Sequence, residues 1–420
     1  MWLRQSGLFA LAAASIGWAV ILALVLRHSI FVTNDSLNNY AHVWYVSDRL
    51  WHGHGVPLHM PVLAHGEAYA FPYGFIPWFS AALVRPLFGD WTVTLWLVAG
   101  FLGTVAAMWW AFPEVRDRWW FALLLIEPML VESVLLGQLP FLWATAFLFA
   151  AIACWRRSSP IAAAVLLGLG QATHPAVIVP IVGVLVVARL FFEPDRRKLI
   201  AVYVVSLAIA APAIWLTVAS PTVGESTRAE LLGNFFGTVS LRAIVIASPF
   251  IALVVLRTPL SRVPAAIFVG LIALSAILVP VRHNEFAWGA LNRNADTSFE
   301  AFFGTPAFTP GATYRLLRVA DGKVAMYEMV KHGGRLDSEF FPESIDRRSW
   351  PDTQEYAQFL HKRRVDYVVI FDSYDARYHT NEHELLDVLV SGGGRSGYCA
   401  ARTAQAGGYE VYRVGVCEPA

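Results

Sequence analysis

The chain has 420 residues, of which 56% are hydrophobic and 15% charged, with 32 Lys and Arg against 31 Asp and Glu. Soluble domains carry nearer a quarter charged residues, so a wholly water-soluble protein is excluded. A formal net charge of +1 gives no reason to expect nucleic acid as a partner.

In chain order, Met1-Trp2-Leu3-Arg4 and apolar residues 7–26 predict a retained first span. The run is longer than the apolar part of a secretory leader, and Arg27-His28 stand where small residues would mark cleavage. A hydrocarbon core about 30 Å thick needs about 20 apolar residues per helix. By that measure the runs at 91–112, 119–137, 139–155, 159–173, 175–192, 198–219, 236–256 and 263–283 predict further spans. Residues 71–89 add three prolines and a short apolar run broken by Arg85, readable as a span or as a re-entrant or interfacial helix. The count is therefore nine or ten.

Arg116 and Arg118, Arg156 and Arg157, Arg196-Arg197-Lys198, and Arg257 and Arg262 fall in alternate short loops. The bias of Lys and Arg towards the cytoplasm puts those loops inside. The turns at Gly137-Gln138 and His174-Pro175, residues 28–90 and 220–235, and the C-terminal region then lie outside. Val365–Phe371, Tyr409–Val414 and Lys323–Tyr327 carry the β-branched and aromatic residues of strands. Residues 352–363 and 381–390 have helical spacing. The expected fold is a polytopic α-helical membrane protein: a transmembrane module at 1–283 with a large external loop at 28–90, and a soluble extracytoplasmic α/β domain at 284–420. In an oxidising compartment, Cys399 and Cys417 are a plausible disulfide pair, with two free thiols the alternative.

Chemistry-bearing side chains gather on the outer face. Asp35 stands at the mouth of the first span, and acids in such places are usually functional. The loop that follows holds Asn38, Asn39, Tyr40, His42, Asp48, Glu67 and five of the twelve His residues. A divalent ion, Mg or Mn, held by Asp35 and Glu67 against a substrate phosphate fits such ligands, while a His-rich zinc site matches no defined spacing. Glu127 and Glu132 occupy one span, five apart and so about 140° round a helix. Glu132 sits towards the external end, followed by Gln138, and His174 marks the next external junction. Arg228, in the last external loop, has the fork geometry that suits phosphate oxygens. No Gly-x-x-x-x-Gly-Lys loop, dinucleotide fingerprint or Gly-x-Ser-x-Gly elbow is present, which disfavours nucleotide-driven transport.

These residues carry a resemblance. Asp35, Tyr40, Asp48-Arg49-Leu50-Trp51-His52-Gly53, Val56-Pro57, Gly66, Phe71-Pro72-Tyr73 and Leu87-Phe88-Gly89 resemble the first external loop of the GT-C superfamily of membrane glycosyltransferases. Gly137-Gln138, Arg156-Arg157, Gly168-Leu169-Gly170 and His174-Pro175 are similar to its polyprenol-dependent mannosyltransferase branch, where the last pair is commonly Lys-Pro. No Asp-x-Asp or Glu-x-Asp pair accompanies Asn34-Asp35. Residues 30–90 also resemble actinobacterial membrane proteins grouped as 6-pyruvoyl-tetrahydropterin synthase-related. The superfamily resemblance implies a multi-pass plasma-membrane enzyme that moves a hexose or pentose from a polyprenyl-phosphate donor to a glycan or glycolipid acceptor of the cell envelope. It implies Asp35 as general base, with Tyr40, His42, Glu67, Glu132, Gln138, His174 and Arg228 around the substrates. A non-catalytic membrane protein whose external domain binds the envelope, and a transporter or flippase, are the alternatives.

Overall fold

The computed structural model describes residues 36–63, 68–113, 136–191, 193–219, most of 302–317, 322–337, 349–371, 374–392, 397–406 and 408–417, with a few residues of 12–30 and 130–134. Contacts divide them into two compact units, one of residues up to Asn39 with Phe71–Ala219, the other of Tyr40–Ala70 with the C-terminal residues. Helix α1 (Ser36–Trp51) contributes its first turn to the first unit and the rest to the second.

The first unit is helical: α2 (Phe75–Phe88), α3 (Trp91–Ala111), α4 (Leu139–Arg156), α5 (Pro160–Thr173), α6 (Pro175–Leu190) and α7 (Arg196–Ala219). Three of these, α3, α4 and α7, are long and apolar enough to cross a membrane. At about 1.5 Å per residue their 21, 18 and 24 residues reach about 31, 27 and 36 Å. Each falls on a predicted span. Helices α5 and α6, with 14 and 16 residues, fall on predicted spans too but are shorter than a bilayer core requires. Residues 71–89 form the 14-residue α2, about 21 Å long and likewise too short to span. The predicted spans 236–256 and 263–283 lie outside the described residues, as do 7–26 and 119–137 but for a few positions.

Small residues let these helices approach. A Cβ at Gly100 on α3 would stand 2.7 Å from the Trp143 ring of α4, and one at Gly168 on α5 the same distance from Ile209 of α7. Packing through small residues is how apolar helices associate where no water drives them together. The Thr104 hydroxyl of α3 donates to Leu142 O at 2.9 Å, and Trp143 Nε1 to Trp96 O at 3.0 Å, which locks α3 against α4. Phe112, Phe141, Phe149, Ile178 and Ile181 close the core beneath.

The second unit is a five-stranded sheet of order β2-β1-β3-β5-β4: β1 (Thr313–Leu317), β2 (Arg335–Leu336), β3 (Tyr367–Phe371), β4 (Tyr398–Ala406) and β5 (Tyr409–Val416). Strand β1 runs parallel to β2 and β3, while β3–β5 and β5–β4 are antiparallel. Helices α8 (Gly322–His332), α9 (Thr353–Lys362), α10 (Tyr374–Tyr378) and α11 (Glu382–Val390) complete the unit. Asp352 caps α9, its carboxylate accepting the Glu355 N–H at 2.8 Å. The expected strands at 365–371 and 409–414 and helices at 352–363 and 381–390 are present. Residues 323–327 are not a strand but the start of α8, because Lys323, Ala325, Met326, Glu328 and Met329 are good helix formers, and the helix they begin buries Tyr327–Val330. Cys399 and Cys417 are joined as a disulfide beside the β4–β5 pair.

The loop after α1 belongs to this unit. Met60 N donates to Ala68 O and Ala70 N to Leu58 O, forming a small hairpin. Leu336 N then donates to Val62 O at 2.8 Å, so residue 62 adds to the β2 edge of the sheet.

Candidate functional site

Within the first unit, four segments that sequence analysis placed on the outer face come together. The first is the opening turn of α1, directly after Asp35. Ser36 is fully buried, and a Cβ on Gly137 would lie 2.6 Å from its backbone, so only glycine allows this approach. Gly137 also has φ of 73°, a conformation that side chains disfavour. Asn39 ties the segments further: its Nδ2 donates to Gly137 O at 2.6 Å, and its Oδ1 accepts from Trp78 Nε1 at 2.8 Å. Both ends of this amide are therefore engaged, which makes Asn39 a clamp rather than a ligand-binding group. The third segment, 72–78, is fastened to the end of α5 by Gly74 N donating to Thr173 O at 2.9 Å, and to α7 by the Thr217 hydroxyl donating to Pro72 O.

The fourth segment contains His174, which is half-buried, its ring 5.5 Å from Tyr73 and 6.3 Å from Phe141. Gln138 is half-buried, its Oε1 accepting from the Ser133 hydroxyl at 3.2 Å. Gln171, one turn before His174, is fully buried, and among the described residues neither atom of its amide has a hydrogen-bond partner; the same holds for the Asn38 Oδ1. Buried polar groups are almost always satisfied, and exceptions concentrate where function requires them. Gln171 was missed by sequence reading, although a lone amide in the apolar run 160–173 is its visible signal.

Other expected site residues stand elsewhere. Asp35, Glu67, Glu132 and Arg228 lie outside the described residues. Tyr40 and His42 belong to the second unit: Tyr40 is 1% exposed with its ring 5.8 Å from that of Tyr327. His42 is fully buried, its Nδ1–H donating to Ala70 O at 2.8 Å. Burial drives its pKa down from 6.5 to about 3 against the raising effect of that bond, so the ring is neutral.

The second unit also holds an ion cluster that sequence reading did not anticipate. Arg315 on β1 donates from Nε and Nη2 to both Glu382 oxygens at 2.8 and 2.7 Å, and from Nη1 to Asp337 at 2.9 Å. The Tyr356 hydroxyl adds a bond to Glu382 at 2.8 Å. Burial works against the Arg315 charge, but the Glu382 and Asp337 carboxylates overcome it and hold the guanidinium pKa well above its usual value. With all four residues buried and mutually bonded, the cluster ties β1, α9 and α11 together. Among the described residues no group of three or more His, Cys, Asp or Glu side chains could hold a metal ion.

The chain matches no known protein family, and no curated protein resembles it in sequence. Solved structures do resemble it. The Archaeoglobus fulgidus oligosaccharyltransferase in complex with Zn and sulfate aligns with a TM-score of 0.50 and 13% identity, over 90% of this chain and 69% of that one. The same enzyme tethered to an acceptor peptide containing the NVT sequon aligns with a TM-score of 0.52 and 13% identity, over 98% and 74%. An N-terminal region of apolar helices with a C-terminal α/β domain is thus a fold similar to that of the Archaeoglobus fulgidus oligosaccharyltransferase.

Proposed function

We propose that this protein is an integral membrane glycosyltransferase. It moves a sugar from a polyprenyl-phosphate donor to a cell-envelope glycan or glycolipid on the external face. The observation that carries this reading is the fold, similar at 13% identity to that of the Archaeoglobus fulgidus oligosaccharyltransferase. The clamp around the first turn of α1 supports it, because Ser36 and Asn39 hold the backbone next to Asp35 in one place. A reacting group must be fixed within a fraction of an ångström to be useful.

In this reading Asp35 takes the proton from an acceptor hydroxyl as that oxygen bonds to the anomeric carbon. The bond from that carbon to the phosphate oxygen breaks, and the polyprenyl phosphate leaves with the electron pair. Arg228 stabilises the departing charge. Half-buried Gln138 and His174 offer hydrogen bonds to sugar hydroxyls, and half-buried Tyr73 offers an aromatic face. The Archaeoglobus enzyme was crystallised with Zn, whereas Asp35 and Glu67, the residues that would hold a divalent cation here, lie outside the described residues.

General-base assistance is worth about 10²–10⁴ in rate. Membranes containing the Asp35→Asn variant, given labelled polyprenyl-phosphate sugar and envelope acceptor, should lose transfer by about that factor while the protein still co-isolates the lipid. An Asn variant with wild-type transfer would remove Asp35 as base. A wild-type protein that neither transfers sugar nor co-isolates a polyprenyl lipid would favour the non-catalytic, envelope-binding alternative.

A further inference from the structure

The short helix α2 is apolar on two opposite sides. Trp78, Ala81 and Ala82 are buried against the helical unit. On the other side Phe75, Phe79, Leu83 and Leu87 follow at four-residue spacing, within an arc of about 120°. Phe75, Leu83 and Leu87 are 43%, 43% and 79% exposed. Arg85, the one charged residue of α2, donates to Asp90 at 3.0 Å. We propose that α2 lies in the surface of the membrane without crossing it, its exposed stripe immersed among the acyl chains of one leaflet. The proposal rests on α3 and α4 as spans and not on any sugar transfer.

The neighbouring helices supply a ruler. Helices α3 and α4 run in the same direction, since a Cβ on Gly100 would meet the Trp143 ring and one on Gly103 would stand 3.6 Å from the Ala146 Cβ. At that register Trp96 stands level with Leu139, the first residue of α4. At their far end the Arg157 guanidinium lies 4.7 Å from the centre of the Trp110 ring. Helix α2 is tied to the near end three times. A Cβ on Gly74, just before α2, would lie 3.0 Å from the Pro140 side chain. The Ser80 hydroxyl accepts Trp96 Nε1 at 2.8 Å, and Gly89 O accepts the Thr92 hydroxyl at 2.7 Å. From the level of Pro140 to that of Trp91 is a climb of about 9 Å, against an α2 length of about 21 Å. The helix axis therefore lies nearer the membrane plane than its normal.

Depth decides what covers the stripe. Pro140 is 16 positions from Arg156, about 24 Å along α4. With Arg156 at one boundary of a hydrocarbon core about 30 Å thick, α2 starts about 6 Å beneath the other boundary and ends about 3 Å beyond it. Interfacial helices bury their apolar side about 5–10 Å into the headgroup and acyl boundary. A stripe of Phe and Leu side chains at that depth offers no charge and no hydrogen bond, so it fits acyl chains and not a polar partner. The bias of Lys and Arg makes this the outer leaflet. The chain then enters and leaves α2 on the same side, which selects nine predicted spans over ten.

The test uses the full chain in phosphatidylcholine liposomes, with Cys154 replaced by Ala and the Cys399–Cys417 disulfide kept. Nitroxide labels are placed singly by Phe75→Cys, Leu83→Cys and Leu87→Cys, and by Leu102→Cys on the exposed side of α3 as a reference within the core. Depth is read by power saturation with oxygen against a water-soluble nickel chelate. The three α2 labels should lie within about 7 Å of one another in depth and at least about 8 Å shallower than the Leu102 label. All four variants should melt with the unlabelled parent, since each side chain replaced is exposed. A crossing helix would separate the Phe75 and Leu87 labels by about 18 Å and overturn the proposal. So would full access of the nickel chelate to all three labels, which means water over the stripe. Immobile labels closed to both reagents would also overturn it, because protein would then cover the stripe.

Discussion

At the scale of single residues, the polar side chains divide by whether their hydrogen bonds are already used. Asn39 has spent its amide on Gly137 and Trp78, and Arg315 has spent three donors on two carboxylates. Neither can hold a substrate without releasing a partner, and stripping one member from a buried ion cluster leaves an uncompensated charge. Gln171 is the converse case, buried with both amide atoms open among the described residues. His42 shows what burial alone does to a titratable group. Its ring stays neutral in the folded chain down to about pH 3, whereas an unfolded chain takes up the proton below about 6.5. The stability of the second unit is therefore complete above pH 6.5 and falls as pH drops towards 3, because only the unfolded state binds the extra proton. The limiting slope is about 1.4 kcal/mol per pH unit. Urea unfolding followed between pH 7 and 5 should show the wild-type midpoint falling more steeply than that of His42→Gln. Parallel slopes would mean that His42 is protonated in the folded protein.

At the scale of elements, the helices owe their visibility to composition. The runs under α3, α4 and α7 are predominantly apolar, and such runs can be found without knowing what they touch. Asp352 before α9 and the β-branched run of β3 were equally local signals. Residues 323–327 misled because Val324 and Tyr327 suit a strand locally, while the longer stretch to His332 is made of good helix formers and buries the consecutive residues Tyr327–Val330. The candidate site was legible only as a collection of residue types. Asn39 finds Trp78 across 39 positions and Gly137 across 98, and hydrogen bonds of that range leave no period in a sequence. The same is true of Val62, whose carbonyl joins the sheet at Leu336. The clamp makes a specific demand on Gly137. Alanine there must adopt a φ of 73° and place Cβ 2.6 Å from Ser36, whereas alanine at Gly53, with φ of 76°, meets nothing within 4 Å. Both substitutions bear the left-handed penalty of about 1–2 kcal/mol, but only the first displaces the turn beside Asp35. A shift on the order of 1 Å at a reacting group costs about 100-fold in rate. Sugar transfer should therefore fall by about that factor in Gly137→Ala and hold near wild type in Gly53→Ala, with the larger loss of Tm in Gly137→Ala, which bears the clash as well as the backbone penalty. Equal transfer rates in the two variants would separate the clamp from the chemistry.

At the scale of the whole molecule, the division of the chain does not follow its order. Residues 40–70 leave the helical unit, join the sheet of the C-terminal residues, and return at Phe71. The chain that enters and leaves this loop is thus tied to both units, so whatever side of the membrane the loop occupies, the sheet occupies as well. The three cysteines make that side measurable. Cys154 is buried near the end of α4 beside Arg156, while Cys399 and Cys417 are joined to each other in the second unit. A disulfide persists where the compartment is oxidising, and closing a loop of this length, with a separation of 18 residues, is worth about 3 kcal/mol. Intact cells treated with a membrane-impermeant maleimide should show no labelling of this protein until a reductant is added, and then two labelled thiols per chain, both lost in a Cys399→Ser/Cys417→Ser variant. The cytoplasmic arrangement predicts the reverse: labelling only after the membrane is opened, with no need for reductant. That second outcome would place the sheet and the loop after Asp35 inside the cell. It would then remove external sugar transfer as the activity, because Asp35 and its acceptor would face the wrong compartment.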